Sequence, residues 1–154
     1  MKKYKDFFFD LDNTLYDTKS LVAGTPVEGA IELIRFLRDV GCRLHICSNG
    51  RWRSRMEKIW SLHLEDAFET VVCSEMAGVE KPDKYFFDYA LQLTEAQAET
   101  TLMIGDNYDT DIIGATAAGI DTVLFNRWEA DWVPPGPVTY RVNELKEIIE
   151  LWQK

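Results

Sequence analysis

Cysteine is scarce and poorly spaced for cross-linking. Three residues, Cys42, Cys47 and Cys73, form no CxxC pair and cannot all be joined in disulfides. That argues against a disulfide-stapled secreted scaffold and for a reduced compartment, so the expected location is cytoplasmic. Long apolar runs are missing from the N-terminus as well. Met1-Lys2-Lys3-Tyr4-Lys5-Asp6 leads into only Phe7 to Phe9, far short of a signal-peptide core or a membrane span. Positive charge is in deficit: 17 Lys and Arg face 26 Asp and Glu, for a net charge of −9. Such a chain has no general attraction for a nucleic-acid polymer or an anionic membrane. Only two histidines occur, His45 and His63. Neither has a partner at metal-ligand spacing, and both read as structural. No repeat and no low-complexity tract interrupts the pattern.

What remains is 154 residues, 46% of them hydrophobic and 28% charged, the composition of one globular domain spanning 1–154. Strand and helix alternate along it. A short aromatic strand is expected at 4–9, stopping at Asp10. A helix through Ala30, Leu33, Ile34 and Leu37 closes at Gly41. Arg43 to Cys47 is the second strand, Trp52–Leu62 a helix, and Thr70–Cys73 the third strand. Pro82 and Asp83 open a helix carrying Tyr85, Phe86 and Tyr89, read as core, and Thr94-Glu95-Ala96-Gln97 has the form of a capping box for a further short helix. Thr101 to Ile104 is the fourth strand, and a helix follows from Asp109 to Ala118. Thr122–Phe125 is the fifth strand. A loop with Trp128, Trp132 and Pro134-Pro135 precedes a last helix, Asn143–Trp152. The alternation implies α/β architecture, a parallel sheet covered by helices on both faces, with no room for a second domain.

The polar residues gather at strand ends: Asp10 and Asp12, Ser48 and Asn49, Ser74, then Asp106 and Asp111. In an open parallel sheet that is the ligand-binding edge. If the first strand is central, with the second and fourth beside it, Asp10 and Asp12 face Asp106, and Ser48 lies on the other flank. Carboxylates so arranged repel one another unless a cation joins them, and a few hard oxygens with room for water and phosphate suit Mg²⁺. A calcium loop starting at Asp10 fails, because Leu15 stands where glycine is needed and Leu21 where glutamate is needed.

Taken in order, Asp10-Leu11-Asp12-Asn13-Thr14, Ser48 at the end of the second strand, Lys81 before Pro82, and Gly105-Asp106 with Asp111 resemble the four motifs of the haloacid dehalogenase (HAD) superfamily. The resemblance implies a three-layer Rossmann-like fold with strand order 3-2-1-4-5. It also implies a Mg²⁺-dependent phosphomonoester hydrolase acting through an aspartyl-phosphate. Asp10 would be the nucleophile, and Asp12 the acid that protonates the leaving alcohol and then the base that activates water. Lys81 would supply positive charge, and Ser48 with the amides near Asn49 and Gly50 would bind phosphoryl oxygens. The Asp10 side chain, the Asp12 carbonyl and Asp106 would hold the metal, and Asp111 would orient Lys81 or a metal-bound water. Dehalogenases and transport ATPases of the superfamily lack an acid at the position of Asp12, which leaves phosphatase or phosphotransferase. Members usually carry a cap domain; here 15–28 and 51–80 leave no space for one. The expected partner is a phosphorylated small molecule entering an open site, for which a second copy of the chain is a candidate cover and the Trp128/Trp132 loop a candidate specificity element. A receiver-like phosphoacceptor module is the alternative, but its acceptor aspartate would end the third strand, where this chain has Cys73-Ser74-Glu75, and its lysine would follow the fifth, where Asn126-Arg127 stand.

Overall fold

The computed structural model describes all residues, 1–154. Six parallel strands form one sheet in the order β3-β2-β1-β4-β5-β6. They are β1 (Asp6–Phe9), β2 (Arg43–Ser48), β3 (Thr70–Cys73), β4 (Thr101–Gly105), β5 (Asp121–Phe125) and β6 (Tyr140–Val142). The helices are α1 (Ala30–Asp39), α2 (Trp52–Ser61), α3 (Ser74–Ala77), α4 (Lys84–Thr94), α5 (Ile113–Ala117) and α6 (Lys146–Gln153).

β1 is central because it is buried on both faces. Phe7 and Phe9 enter the larger core with α1 and α6, and Phe8 enters the second core beneath α4 and α5. All three rings are inaccessible to solvent. Burying each contributes about 1.5–3 kcal/mol, so one short strand anchors both layers. The register then sets the site. Phe9 lies opposite Ile46 of β2 and Ile104 of β4, and the Asp10 amide still donates to Ile104 at 2.9 Å. Asp10 is therefore the first residue beyond the pleat, level with the ends of both neighbours.

Four expectations need correction. A sixth strand pairs with β5, where the sequence reads as loop; three residues are too few to show a period. Ser74–Ala77 forms a single helical turn. Thr94 does not open a new helix but ends α4: its Oγ1 donates back to Ala90 O at 2.7 Å, and Glu95 takes the left-handed conformation. Beyond it there is only a 3₁₀ turn, Ala98–Thr100. Tyr85 is exposed rather than core, whereas Phe86 and Phe87 are fully buried and Tyr89 packs at the edge.

No second domain is inserted within the chain. Residues 13–28 form a loop held by Asp17, a buried carboxylate that accepts from Ser20 and, at 2.7 Å, from Arg127. The Ser20 hydroxyl and amide and the Arg127 guanidinium hold that carboxyl well below its usual range.

Candidate active site

The turn after β1 is built by Asn13. It adopts φ 61°, a left-handed conformation that asparagine tolerates, and its Oδ1 accepts from the Thr18 amide and hydroxyl at 2.9 and 3.0 Å. The reversal returns Thr14 to Asp10. Thr14 Oγ1 lies 3.3 Å from Asp10 Oδ2 and 3.5 Å from Asp106 Oδ1, between the two carboxylates.

Lys81 crosses from the α4 side into the same space and is almost wholly buried. Its Nζ donates to Asp10 Oδ1 (3.0 Å), Asp111 Oδ1 (2.6 Å) and Cys47 O (2.8 Å), which uses all three of its protons. Burial alone would discharge the ammonium, but Asp10 and Asp111 outweigh it and hold Lys81 charged. Asn49 braces it from the end of β2: its Oδ1 accepts from the Lys81 amide at 2.8 Å, and its Nδ2 donates to Lys81 O at 3.1 Å. The Gly50 amide donates to Ser74 Oγ at 2.8 Å, tying the β2 and β3 ends together. Gly50 itself, at φ 130°, accepts a backbone shape that side chains disfavour.

Asp111 follows β4 through a single π-helical turn, Tyr108–Ile112. Its Oδ2 accepts from the Asn107 amide at 3.2 Å, and its carboxylate packs so closely on Gly105 that a Cβ there would collide with it. Glycine before Asp106 is thus a steric requirement. Burial first, then the charge of Asp10, pushes the carboxyls of Asp106 and Asp111 upward. Side-chain oxygens of Asp10, Asp106 and Asp111 lie within 4.8 Å of one another. Three carboxylates with one lysine between them leave surplus negative charge on hard oxygens, and that donor set fits Mg²⁺. Lys81 and the Asn107 amide take both oxygens of Asp111, whereas Lys81 takes only Oδ1 of Asp10, so Asp10 and Asp106 are the side chains left to face an ion.

Asp12 stands apart from this cluster. Its carboxylate is gripped by Arg55 Nη1 at 3.0 Å and Lys58 Nζ at 2.6 Å, both from α2. Partial burial raises its carboxyl, but Lys58 and Arg55 prevail and hold it low. Arg55 Nη1 also reaches Ser48 Oγ at 3.3 Å. Sequence reasoning missed Arg55 and Lys58, and it named Thr14 only as part of the first motif, without a role. The i, i+3 spacing of Arg55 and Lys58 puts them on one helix face, which was the available signal, but not which way that face points.

The structure brings Asp10, Asp12, Ser48, Asn49, Lys81 and Asp106 to one polar cavity of about 210 Å³ with no apolar lining. Lys19, Asp106 and Asn107 are shared with an adjoining cavity of about 300 Å³ whose walls include Tyr108, Trp128 and Trp132. Trp132 meets the Tyr108 ring edge-on at 6.0 Å, and Trp128 lies over Arg127 at 4.2 Å. Trp128 and Trp132 remain substantially exposed, at 51% and 40% respectively.

A family model described as haloacid dehalogenase-like hydrolase matches residues 23–125, which takes in Ser48, Lys81, Asp106 and Asp111. Among curated relatives, a glyceraldehyde 3-phosphate phosphatase of Pyrococcus abyssi is 39% identical over 99 residues, covering 64% of this chain and 42% of that protein. The pyrimidine 5'-nucleotidase YjjG of Escherichia coli is 34% identical over 131 residues, covering 82% of this chain and 56% of that protein. The chain thus spans about half the length of the curated relatives it matches. Among solved structures, a crystal structure of the HAD-hydrolase YfnB from Bacillus subtilis bound to magnesium superposes with a TM-score of 0.88 at 21% identity, covering 99% of this chain and 100% of that one.

Proposed function

The chain belongs to the haloacid dehalogenase-like hydrolases, and on that premise we propose that it is a Mg²⁺-dependent phosphatase of small phosphate monoesters, working through an aspartyl-phosphate on Asp10. One observation carries the reading: Lys81 is locked between Asp10 and Asp111 while Asp106 faces Asp10 from the next strand. That combination gives a carboxylate nucleophile, a fixed positive charge and a second carboxylate, Asp106, to join Asp10 in facing an ion in one pocket. Asp10 and Asp106 side chains with the Asp12 carbonyl would hold Mg²⁺, which when bound offsets charge on the phosphoryl oxygens.

Asp10 attacks phosphorus as the P–O ester bond breaks, and the departing oxygen takes a proton from Asp12. Ser48 and Lys81 hold the phosphoryl oxygens meanwhile. In the second half Asp12 takes a proton from water, the resulting hydroxide attacks phosphorus, and the Asp10–phosphorus bond breaks to free phosphate. Arg55 and Lys58 favour the ionised Asp12 that the second half needs. They oppose the protonated form that the first half needs, so good leaving groups should react faster than poor ones.

Hydrolysis is favoured over phosphoryl transfer because no segment of the chain covers Asp12, which is 37% exposed, whereas a transferase must exclude water. The receiver-like alternative is weakened because the end of β3 offers Ser74, already engaged with Gly50. The test is turnover of 4-nitrophenyl phosphate. Activity should require Mg²⁺ and vanish in Asp10→Asn; full activity in excess chelator, or in that variant, refutes the scheme.

A further inference from the structure

Two cations beside the catalytic cavity act on that phosphoryl chemistry only through Asp12, and neither touches Asp10, Lys81 or Asp106. Arg55 and Lys58 converge on Asp12, and Arg55 also reaches Ser48, so its guanidinium spans the acid–base residue and the phosphate loop. It lies across Gly50, where a Cβ would stand 3.1 Å from Arg55 Nε. Lys58 rests over the Tyr16 ring at 5.0 Å, which steadies it beside Asp12. The two side chains are 11% and 25% exposed, so neither is a freely solvated surface charge.

The arithmetic of charge is lopsided. One carboxylate meets two cations, leaving the group with a surplus positive charge in a chain of net charge −9. The other pair on this helix, Arg53 with Glu57, neutralises itself on the exposed side. Arg55 Nη1 is the nitrogen that binds Asp12; the planar fork has further donors that a second oxyanion can meet at the same time.

A phosphoryl group seated on Asp10, Ser48 and Lys81 must direct its ester oxygen at Asp12, which handles the leaving-group proton. The atoms just beyond that oxygen then meet Arg55 and Lys58. We infer that these two side chains are the receptor for a second anionic group, a carboxylate or a second phosphate, carried on the leaving alcohol close to the scissile ester. The inference rests on the phosphatase reading for the direction of the leaving group, and it narrows the substrates to small phosphoesters with two acidic ends.

A matched pair of esters tests it: 3-phosphooxypropanoate and its uncharged isostere 3-methylbutyl phosphate. The wild type should favour the carboxylate ester in kcat/KM by about tenfold or more, the value of one charge-assisted hydrogen bond. Arg55→Gln and Lys58→Gln should each pull that ratio towards one, chiefly through KM, and Arg55→Lys should keep part of it. If the variants lower both esters equally and leave the ratio unchanged, the cations only position Asp12 and the inference is overturned. Calorimetric binding of the same two esters provides a readout independent of turnover. Should the wild type hydrolyse neither ester, the phosphatase reading fails by itself. Tighter binding of the carboxylate ester that Arg55→Gln removes would still uphold the receptor, and equal binding of the two by the wild type would overturn it.

Discussion

Lys81→Met removes the one cation at the centre of the cluster and keeps most of its apolar stem. Three acceptors then lose their donor: Asp10 Oδ1, Asp111 Oδ1 and the carbonyl of Cys47. Both the lysine and Asp111 are sealed from solvent, at 2% and 1% side-chain exposure, so water cannot replace the lost bonds. Breaking one side of such a buried pair costs about 3–5 kcal/mol, because the surviving charge stays buried without compensation. Against a total stability of about 5–15 kcal/mol, that is a large share. With a urea m-value near 2 kcal/mol/M, the midpoint should fall by about 2 M. Adding Asp111→Asn removes one stranded charge, so the double variant should be more stable than the sum of the two single losses by about 1–3 kcal/mol. The pH dependence has a definite sign. Without Lys81, buried Asp111 loses the cation that draws its carboxyl down, so burial and the nearby Asp10 push it still higher in the folded protein than in the unfolded chain. The penalty is therefore full where Asp111 is ionised and shrinks as pH falls and the folded protein takes up a proton there. The urea transitions of wild type and variant should converge from neutral to mildly acidic pH. A midpoint unchanged in Lys81→Met, strict additivity in the double variant, or a gap that widens on acidification would refute this account of the cluster.

Asp12→Asn should stall the second half of the reaction, with phosphoenzyme accumulating in rapid-quench experiments, while an aryl phosphate loses less in the first half than an alkyl phosphate. Equal losses for both leaving groups would remove Asp12 from the acid role. Because burial and Asp10 push the Asp106 carboxyl upward, the metal-free protein should hold protons near neutrality that Mg²⁺ displaces. Metal-free stability should fall as pH rises through that raised value, and Mg²⁺ should restore it. Titration calorimetry in two buffers of unlike ionisation enthalpy should record proton release that Asp106→Asn largely abolishes; binding without proton release would contradict the electrostatics described above.

The alternation of apolar strands and amphipathic helices was legible in the chain itself, since periods of two and 3.6 residues are written in the order of side chains. So were Asp10, Asp12, Ser48, Asp106 and Asp111 as candidates, because turn chemistry after a buried strand places polar residues at the sheet's carboxyl edge; Lys81 became a candidate only through the resemblance to the family's motifs. Local pattern was silent or misleading elsewhere. β6 is too short to show a period, and Thr94 bonds backward into α4 rather than forward because Glu95 takes the left-handed conformation. Which carboxylate touches which cation was decided only by the packed structure. Asp111 reaches Lys81 across 30 residues, and Arg55 and Lys58 reach Asp12 across 43 and 46. Contacts at that separation depend on how α2 is rotated against the sheet and how closely Gly105 lets Asp111 approach. Those are consequences of core packing, which no stretch of sequence specifies locally.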